Sequence, residues 1–279
     1  MKTISKIFAF LLVIGIAFGI YIFNQFRIFE PIQIDLKTTS QFSFAPINTF
    51  CFSREESIPT LEKKHIRLLS WNIHKGADKG WQQDLRHFSK EQDFVLLQEA
   101  TPEQNLPSFS TALFISSFAY KGLQSGVKTF SQFVPKSYCG ISQPEPWIRI
   151  PKVAGVMTFP LNNGEELFVI NAHLINFEWE SKAYRKQLEQ IFSLIPSDQS
   201  AVILAGDFNA WNAERKRILD EFIVENGLSE VPFEQDERVR FFNYPLDYVF
   251  VRGVKHLTAK SKKVASSDHS PVWVELILE

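Results

Sequence analysis

The chain has 279 residues, 45% of them hydrophobic and 22% charged, which suits one large globular domain or two small ones and excludes a disordered or fibrous protein. Its 30 Lys and Arg stand against 31 Asp and Glu, for a net charge of −1. Near-neutrality excludes a protein that coats nucleic acid by charge alone, though not one with a local basic groove.

Taken in order, the chain opens with Lys2 and Lys6 and then a charge-free run, 7–23. That run sits at the short end of the roughly 17–25 residues needed to span a bilayer. Lysines before it and mixed charge after it favour an N-terminus inside. We therefore expect 1–23 to be a membrane anchor or signal segment. The reading is a single-pass inner-membrane protein with its domain facing the periplasm; the alternatives are secretion after signal cleavage and, more remotely, a buried core helix. Residues 24–61, with Pro31, Pro46 and Pro59 and no sustained period, read as a linker partly packed by its Phe and Ile residues. Cys51 and Cys139 are too few for a disulfide framework and leave a single bridge open either way. No zinc-type Cys/His spacing occurs.

From His65 the pattern tightens into a domain, 62–279. Strands are expected at 66–71, 93–98, 111–118, 126–133, 153–159, 167–172, 202–205, 248–251 and 272–278. Helical spacing appears at 78–90, 181–195 and 213–225. Many strands with few helices between them point to packed sheets covered by helices. Two stretches poor in acids, one with Lys121, Lys128, Lys136, Arg149 and Lys152 and one with Arg252, Lys255, Lys260, Lys262 and Lys263, read as solvated faces or as binding surface.

Strand after strand ends in a short polar cluster. Trp71-Asn72-Ile73-His74 closes the first and Gln98-Glu99 the second. Asn171-Ala172-His173 and Gly206-Asp207-Phe208-Asn209 close later ones; Asp247 opens another, and Ser267-Asp268-His269 precedes the last. Each alone is an ordinary cap or turn. Together they supply carboxylates, carboxamides and histidines at strand ends, where a rigid scaffold can hold loop chemistry. Asp207 and Asn209, two apart on extended backbone, share a side.

In this order the clusters resemble the endonuclease/exonuclease/phosphatase family. That family has the DNase I-like fold and includes deoxyribonuclease I, abasic-site endonucleases, inositol polyphosphate 5-phosphatases and neutral sphingomyelinases. Ser125-Gly126-Val127, Asn171-Ala172-His173, Asp207-Phe208-Asn209-Ala210-Trp211 and Pro245-Leu246-Asp247-Tyr248-Val249-Phe250 are similar to its bacterial YafD-like branch. The resemblance runs from about His65 to the C-terminus. It implies an α/β fold, a DNase I-like four-layer sandwich of two packed mixed β-sheets flanked by helices, here preceded by an N-terminal hydrophobic helix.

The resemblance also implies roles. Glu99 would bind a divalent metal, with Asn72 beside it and Asp268 completing the metal side; such an oxygen site suits Mg²⁺ or Mn²⁺. Asp207 would prepare the attacking water, and Asn209 would hold the phosphate or that carboxylate. His269 would touch the phosphoryl oxygen with Asp247 on its other ring nitrogen, and His173 would be the second imidazole. Arg149 and Lys152 are candidates for a cation over the phosphate. The implied activity is metal-dependent hydrolysis of a phosphate ester by a monomer, with nucleic acid among the candidate substrates. A lipid phosphodiesterase or phosphatase at the membrane is the alternative, for which Phe109, Phe114, Phe118, Phe130 and Phe133 offer apolar surface. A catalytically inactive binding protein on the same fold is the rival from another class.

Overall fold

The computed structural model describes residues 25–39, 42–54, 56, 59–197 and 200–279, together with positions 12, 13, 15, 19 and 21. Apart from those positions, the hydrophobic helix expected over 1–23 lies outside the described residues. Among the described residues no helix is long and apolar enough to cross a membrane.

The strands are β1 (Phe26–Thr38), β2 (Phe44–Pro46), β3 (Cys51–Arg54), β4 (His65–Asn72), β5 (Phe94–Ala100) and β6 (Thr111–Tyr120). They continue with β7 (Leu123–Ser131), β8 (Ser137–Pro144), β9 (Pro151–Pro160), β10 (Glu166–His173) and β11 (Ala201–Asp207). The last are β12 (Ser229–Glu230), β13 (Arg240–Phe241), β14 (Tyr244–Pro245), β15 (Asp247–Arg252), β16 (Val254–Ser261) and β17 (Val272–Leu278). One sheet has the order β1-β6-β7-β5-β4-β17-β16 and the other β12-β15-β11-β10-β9-β8-β3-β2, while β13 and β14 pair separately. Both sheets are mixed: β4 and β5 run parallel in the first, β10 and β11 in the second.

Side-chain alternation explains how the sheets stack. Leu167 and Val169 of β10, Ile203 and Ala205 of β11, and Ile66 and Leu68 of β4 meet in a core between the sheets. The intervening residues Phe168, Ile170, Val202 and Leu204 face the other way, onto the helices Lys182–Phe192 and Ala213–Glu225. Leu69, Trp71, Val95 and Leu97 pack outward against Trp81 and Leu85 of the helix Trp81–Phe88. Sheets buried on both faces carry continuous apolar runs, which is why 201–205 reads as one.

The inward-facing positions change character at one end of the strands. In β10 they run Leu167, Val169, Asn171, His173; in β11, Ile203, Ala205, Asp207; in β4, Ile66, Leu68, Ser70, Asn72; in β5, Phe94, Leu96, Gln98. The inter-sheet layer is thus oily at one end and polar at the other. Gln98 and Asn171 fasten the sheets where it changes, the Gln98 amide donating to Asn171 Oδ1 at 2.7 Å and the Asn171 amide to Leu97 O at 3.1 Å.

The stretch 24–61, expected as a linker, instead contributes β1, β2 and β3. β1 pairs antiparallel with β6 and edges the first sheet, with Phe29 and Ile32 buried. An edge strand needs only intermittent apolar contacts and tolerates proline, so its sequence shows no clean period. β3 carries Cys51 directly opposite Cys139 of β8, and the two form a disulfide with Cα atoms 4.1 Å apart. β8 and β16 also fall where no strand is expected. β16 is an edge strand whose Lys255, His256 and Lys260 face solvent, so that basic stretch is a charged edge.

The other basic stretch is not one groove either. Lys128 is buried, its ammonium held by Gln104 O at 2.6 Å, and Lys136 pairs with Glu166 at 2.5 Å. Phe109, Phe114 and Phe130 are core residues rather than membrane-facing ones.

Candidate active site

At the polar end of the inter-sheet layer the second sheet places three functional side chains in one row. His173 of β10 is in register with Asp207 of β11, and Asp207 with Asp247 of β15. Gly206 makes this possible. Its φ is +147°, and a Cβ there would lie 1.9 Å from the Ala172 carbonyl oxygen, so only glycine lets β10 and β11 close at this height. From the facing sheet Asn72 reaches across and donates to Asp207 Oδ2 at 3.0 Å.

His269 enters from the loop before β17. Ser267 pins that loop by donating to Asn72 O at 2.7 Å and accepting from the His269 backbone N–H at 3.1 Å. The buried Trp71 indole donates to His269 O at 3.1 Å. His269 Nδ1 is then 2.8 Å from Asp247 Oδ2, and its Nε2 is 3.7 Å from Asp207 Oδ2. His173 Nε2 lies 3.4 Å from the same Asp207 oxygen.

Electrostatics divides the labour. Burial lifts the Asp207 carboxyl to about 6, with the His269 charge pulling it down and Asp247 pushing it further up. Burial also works against a charge on His269, but Asp247 and Asp207 outweigh it and hold the imidazolium to about 10. His173 goes the other way: burial, then the Lys152 ammonium, push it well below its ordinary value. Lys152 Nζ lies 2.8 Å from His173 Nε2, so this neutral ring accepts there and carries its proton on Nδ1.

Glu99 is aimed by a bulge. The β5–β7 register shifts between Leu97 and Ala100, and Glu99 takes a φ of +51°. Its carboxylate meets the Lys75 ammonium from the turn His74–Gly76. Burial opposes its charge, but the positive charge at the paired His173 and Lys152, and then at Lys75, keeps the carboxyl well below the usual range. Asp268 is different: its side chain is 59% exposed and lies 3.8 Å from His74 Nδ1, at the rim. Asn209 holds the site without pointing into it. Its backbone N–H donates to Asp207 Oδ1 at 3.1 Å, and its side-chain amide turns to Leu174 O at 3.0 Å.

Glu99, Asn72 and Asp268 offer only oxygen donors. Glu99 is held ionised, and Asn72 Oδ1 accepts from the His74 backbone N–H at 3.1 Å. This hard set fits Mg²⁺ or Mn²⁺. Asp207, Asp247 and His269 also bring ligand atoms within 4.8 Å of one another. Within that trio His269 Nδ1 and Asp247 Oδ2 are already paired at 2.8 Å, the length of an ordinary charge-assisted hydrogen bond.

Three contributors stand out that the strand-end clusters do not reveal. Lys75 sits in the turn one residue beyond the first cluster. Lys152, also readable as surface charge, is in the site, whereas Arg149 lies on an exposed loop. Arg215 is fully buried and ties the loops after β10 and β11 together through Ile175 O at 2.6 Å and Asn209 O at 3.0 Å.

The sequence profile described as "Endonuclease/Exonuclease/phosphatase family" matches residues 69–269, from β4 through His269. The chain belongs to that family. A UPF0294 protein of Yersinia pseudotuberculosis is 37% identical over 225 residues, covering 79% of this chain and 86% of its own, in keeping with the YafD-like branch. Among solved family folds, a mannosyl-6-phosphatase of Bacteroides thetaiotaomicron superposes with a TM-score of 0.58 at 18% identity, covering 76% of this chain and 99% of that one. D. rerio TDP2, complexed with a single-strand DNA product, gives 0.54 at 19% identity over 77% and 99% of the two chains. At these identities the likeness shows the DNase I-like fold alone. Members of the family are phosphoesterases, and they typically use divalent metals.

Proposed function

We propose that this protein hydrolyses a phosphate ester by metal-assisted attack of water, with Asp207 as the base. The observation that carries the reading is the convergence on Asp207 Oδ2 of Asn72 at 3.0 Å, His173 at 3.4 Å and His269 at 3.7 Å. A buried carboxyl lifted toward neutrality, with the Asn72 amide donating to it and two imidazoles beside it, is suited to take a proton near pH 7. Asp207 accepts the water proton as the new P–O bond forms and the ester P–O bond breaks. The departing oxygen is protonated from solvent. Negative charge growing on the phosphoryl oxygens is met by the His269 imidazolium, which Asp247 keeps charged, and by the Lys152 ammonium. Glu99, Asn72 and Asp268 would hold the divalent cation, which supplies Lewis-acid neutralisation of the phosphate.

The test is turnover of bis-p-nitrophenyl phosphate by the purified chain with Mg²⁺ or Mn²⁺. Release of nitrophenol that EDTA stops and Glu99→Gln abolishes is the expected result. No turnover with either metal would favour the inactive binding protein. We also propose that 7–23 anchors the chain with its domain outside the cytoplasm. The charge-free run and the Cys51–Cys139 disulfide, a bond at home in oxidising compartments, support this. Degradation of the domain by protease added to spheroplasts is the expected result.

A further inference from the structure

The cleft that leads away from the site is apolar. A cavity of about 310 Å³ starts at Lys75, Glu99, Lys152 and His173 and runs past Phe118, Leu123 and Ile148 to Phe26. That is the low end of ligand-pocket size. Among the described residues lining it, Lys75, Glu99 and Lys152 are the only ones with a formal charge, and all three belong to the catalytic end. A nucleic-acid strand needs cations along its path and free ring faces for its bases. Away from its catalytic end the described lining of this cleft carries no such row of cations. Phe26 packs on Tyr120 with ring centroids 4.6 Å apart and on Phe118 at 6.4 Å, so the rings cover one another.

The outer surface continues the pattern. Leu123 is 39% exposed and Ile148 47%, and beside Ile148 the Trp147 ring leans on Trp179 at 5.4 Å, with Trp179 72% exposed. So much contiguous exposed apolar surface marks a contact site. Tryptophans with flanking cations are what a bilayer interface selects. Lys121 lies over the Tyr120 ring at 5.3 Å, and Arg149 sits between Ile148 and Ile150. The chain itself points the same way. Phe26, at the mouth of the cleft, comes three residues after the charge-free run 7–23 ends.

We infer that the substrate is a phospholipid presented by a bilayer, its phosphate at Lys152 and His173 and its apolar chain along the cleft toward Phe26. This rests on the phosphoesterase reading above. The full-length protein is assayed on bis-p-nitrophenyl phosphate with Mg²⁺, and n-alkyl phosphates from methyl to dodecyl are added as inhibitors below their micelle concentrations. Inhibition should tighten about fourfold per methylene until the cleft is filled. Leu123→Asp and Ile148→Asp should flatten the series. Vesicles of phosphatidylethanolamine and phosphatidylglycerol should be cleaved, and about tenfold more slowly by Trp147→Ser/Trp179→Ser.

A wild-type series flat in chain length overturns the inference. So does an oligothymidylate that inhibits more tightly than dodecyl phosphate and is released steeply by salt. Absence of diester turnover with any divalent metal overturns the phosphoesterase reading instead. The alkyl phosphate series is then followed by calorimetry, and its slope still decides whether the cleft takes a lipid chain.

Discussion

At the scale of single residues, Asp207 and His269 are set against each other. The Asp207 carboxyl is raised from 3.8 to about 6, so its ionised form burdens the fold: the cost is absent below about pH 4 and complete above about pH 6. Asp207→Asn carries no such burden. In EDTA-treated protein the unfolding free energy of the variant relative to wild type should improve between those two values, measured by denaturant titration at stepped pH. Its turnover should fall by roughly 10²–10⁴. A stability difference flat with pH would mean that Asp207 is not strained by burial. His269 has the opposite sign. Raised from 6.5 to about 10, it lends stability that is full below the lower value and fades as pH rises through the higher. His269→Ala should therefore be less stable than wild type at pH 6, with a deficit that shrinks toward pH 10. Both residues were legible because they sit in short motifs of residue types that suggest little but caps or chemistry. Lys75 and Arg215 were not, since a lysine in a turn and an arginine in a helix look like solvated charge until the fold closes over them. Lys152 could be weighed but not placed, because its partner His173 is 21 residues away.

Secondary-structure elements aim these side chains, and Gly206 is the tightest point. With the Ala172 carbonyl where its Cβ would be, Gly206→Ala should pry β10 from β11. Overpacking of this kind costs about 1–3 kcal/mol or more, and melting should drop by several degrees with turnover lost. Gly164 is the control. It also has a positive φ, +85°, but nothing lies within 4 Å of its Cβ position, so Gly164→Ala should cost only about 1 kcal/mol of backbone strain. Thermal melts of the two variants compare steric exclusion with strain directly. The buried strands were readable from sequence because both faces are covered, as in Ala201–Asp207. β1, β8 and β16 were not, because pairing by backbone leaves edge and half-covered strands free to carry proline, glycine and lysine. The bulge that turns Glu99 inward has no sequence mark at all, as it exists only relative to β7.

At the scale of the whole molecule, the Cys51–Cys139 bond ties two positions 88 residues apart. A loop of that size restricts the unfolded chain strongly, and Cys51→Ser/Cys139→Ser should lose roughly 2–4 kcal/mol of stability. Dithiothreitol should shift the wild-type denaturation curve to that of the double variant and leave the variant itself unmoved. The row of His173, Asp207 and Asp247 lies across three neighbouring strands at one height. The sheet is therefore a ruler: the gaps between Asp207 and its two neighbours in the row are set by strand spacing of about 4.8 Å and not by loop conformation. Loops around the site can drift in sequence and length without moving its marks. Deletion of one residue within Leu167–His173 cannot be absorbed this way. It would shift the strand by one step and bring Leu174 to the place where an imidazole had stood.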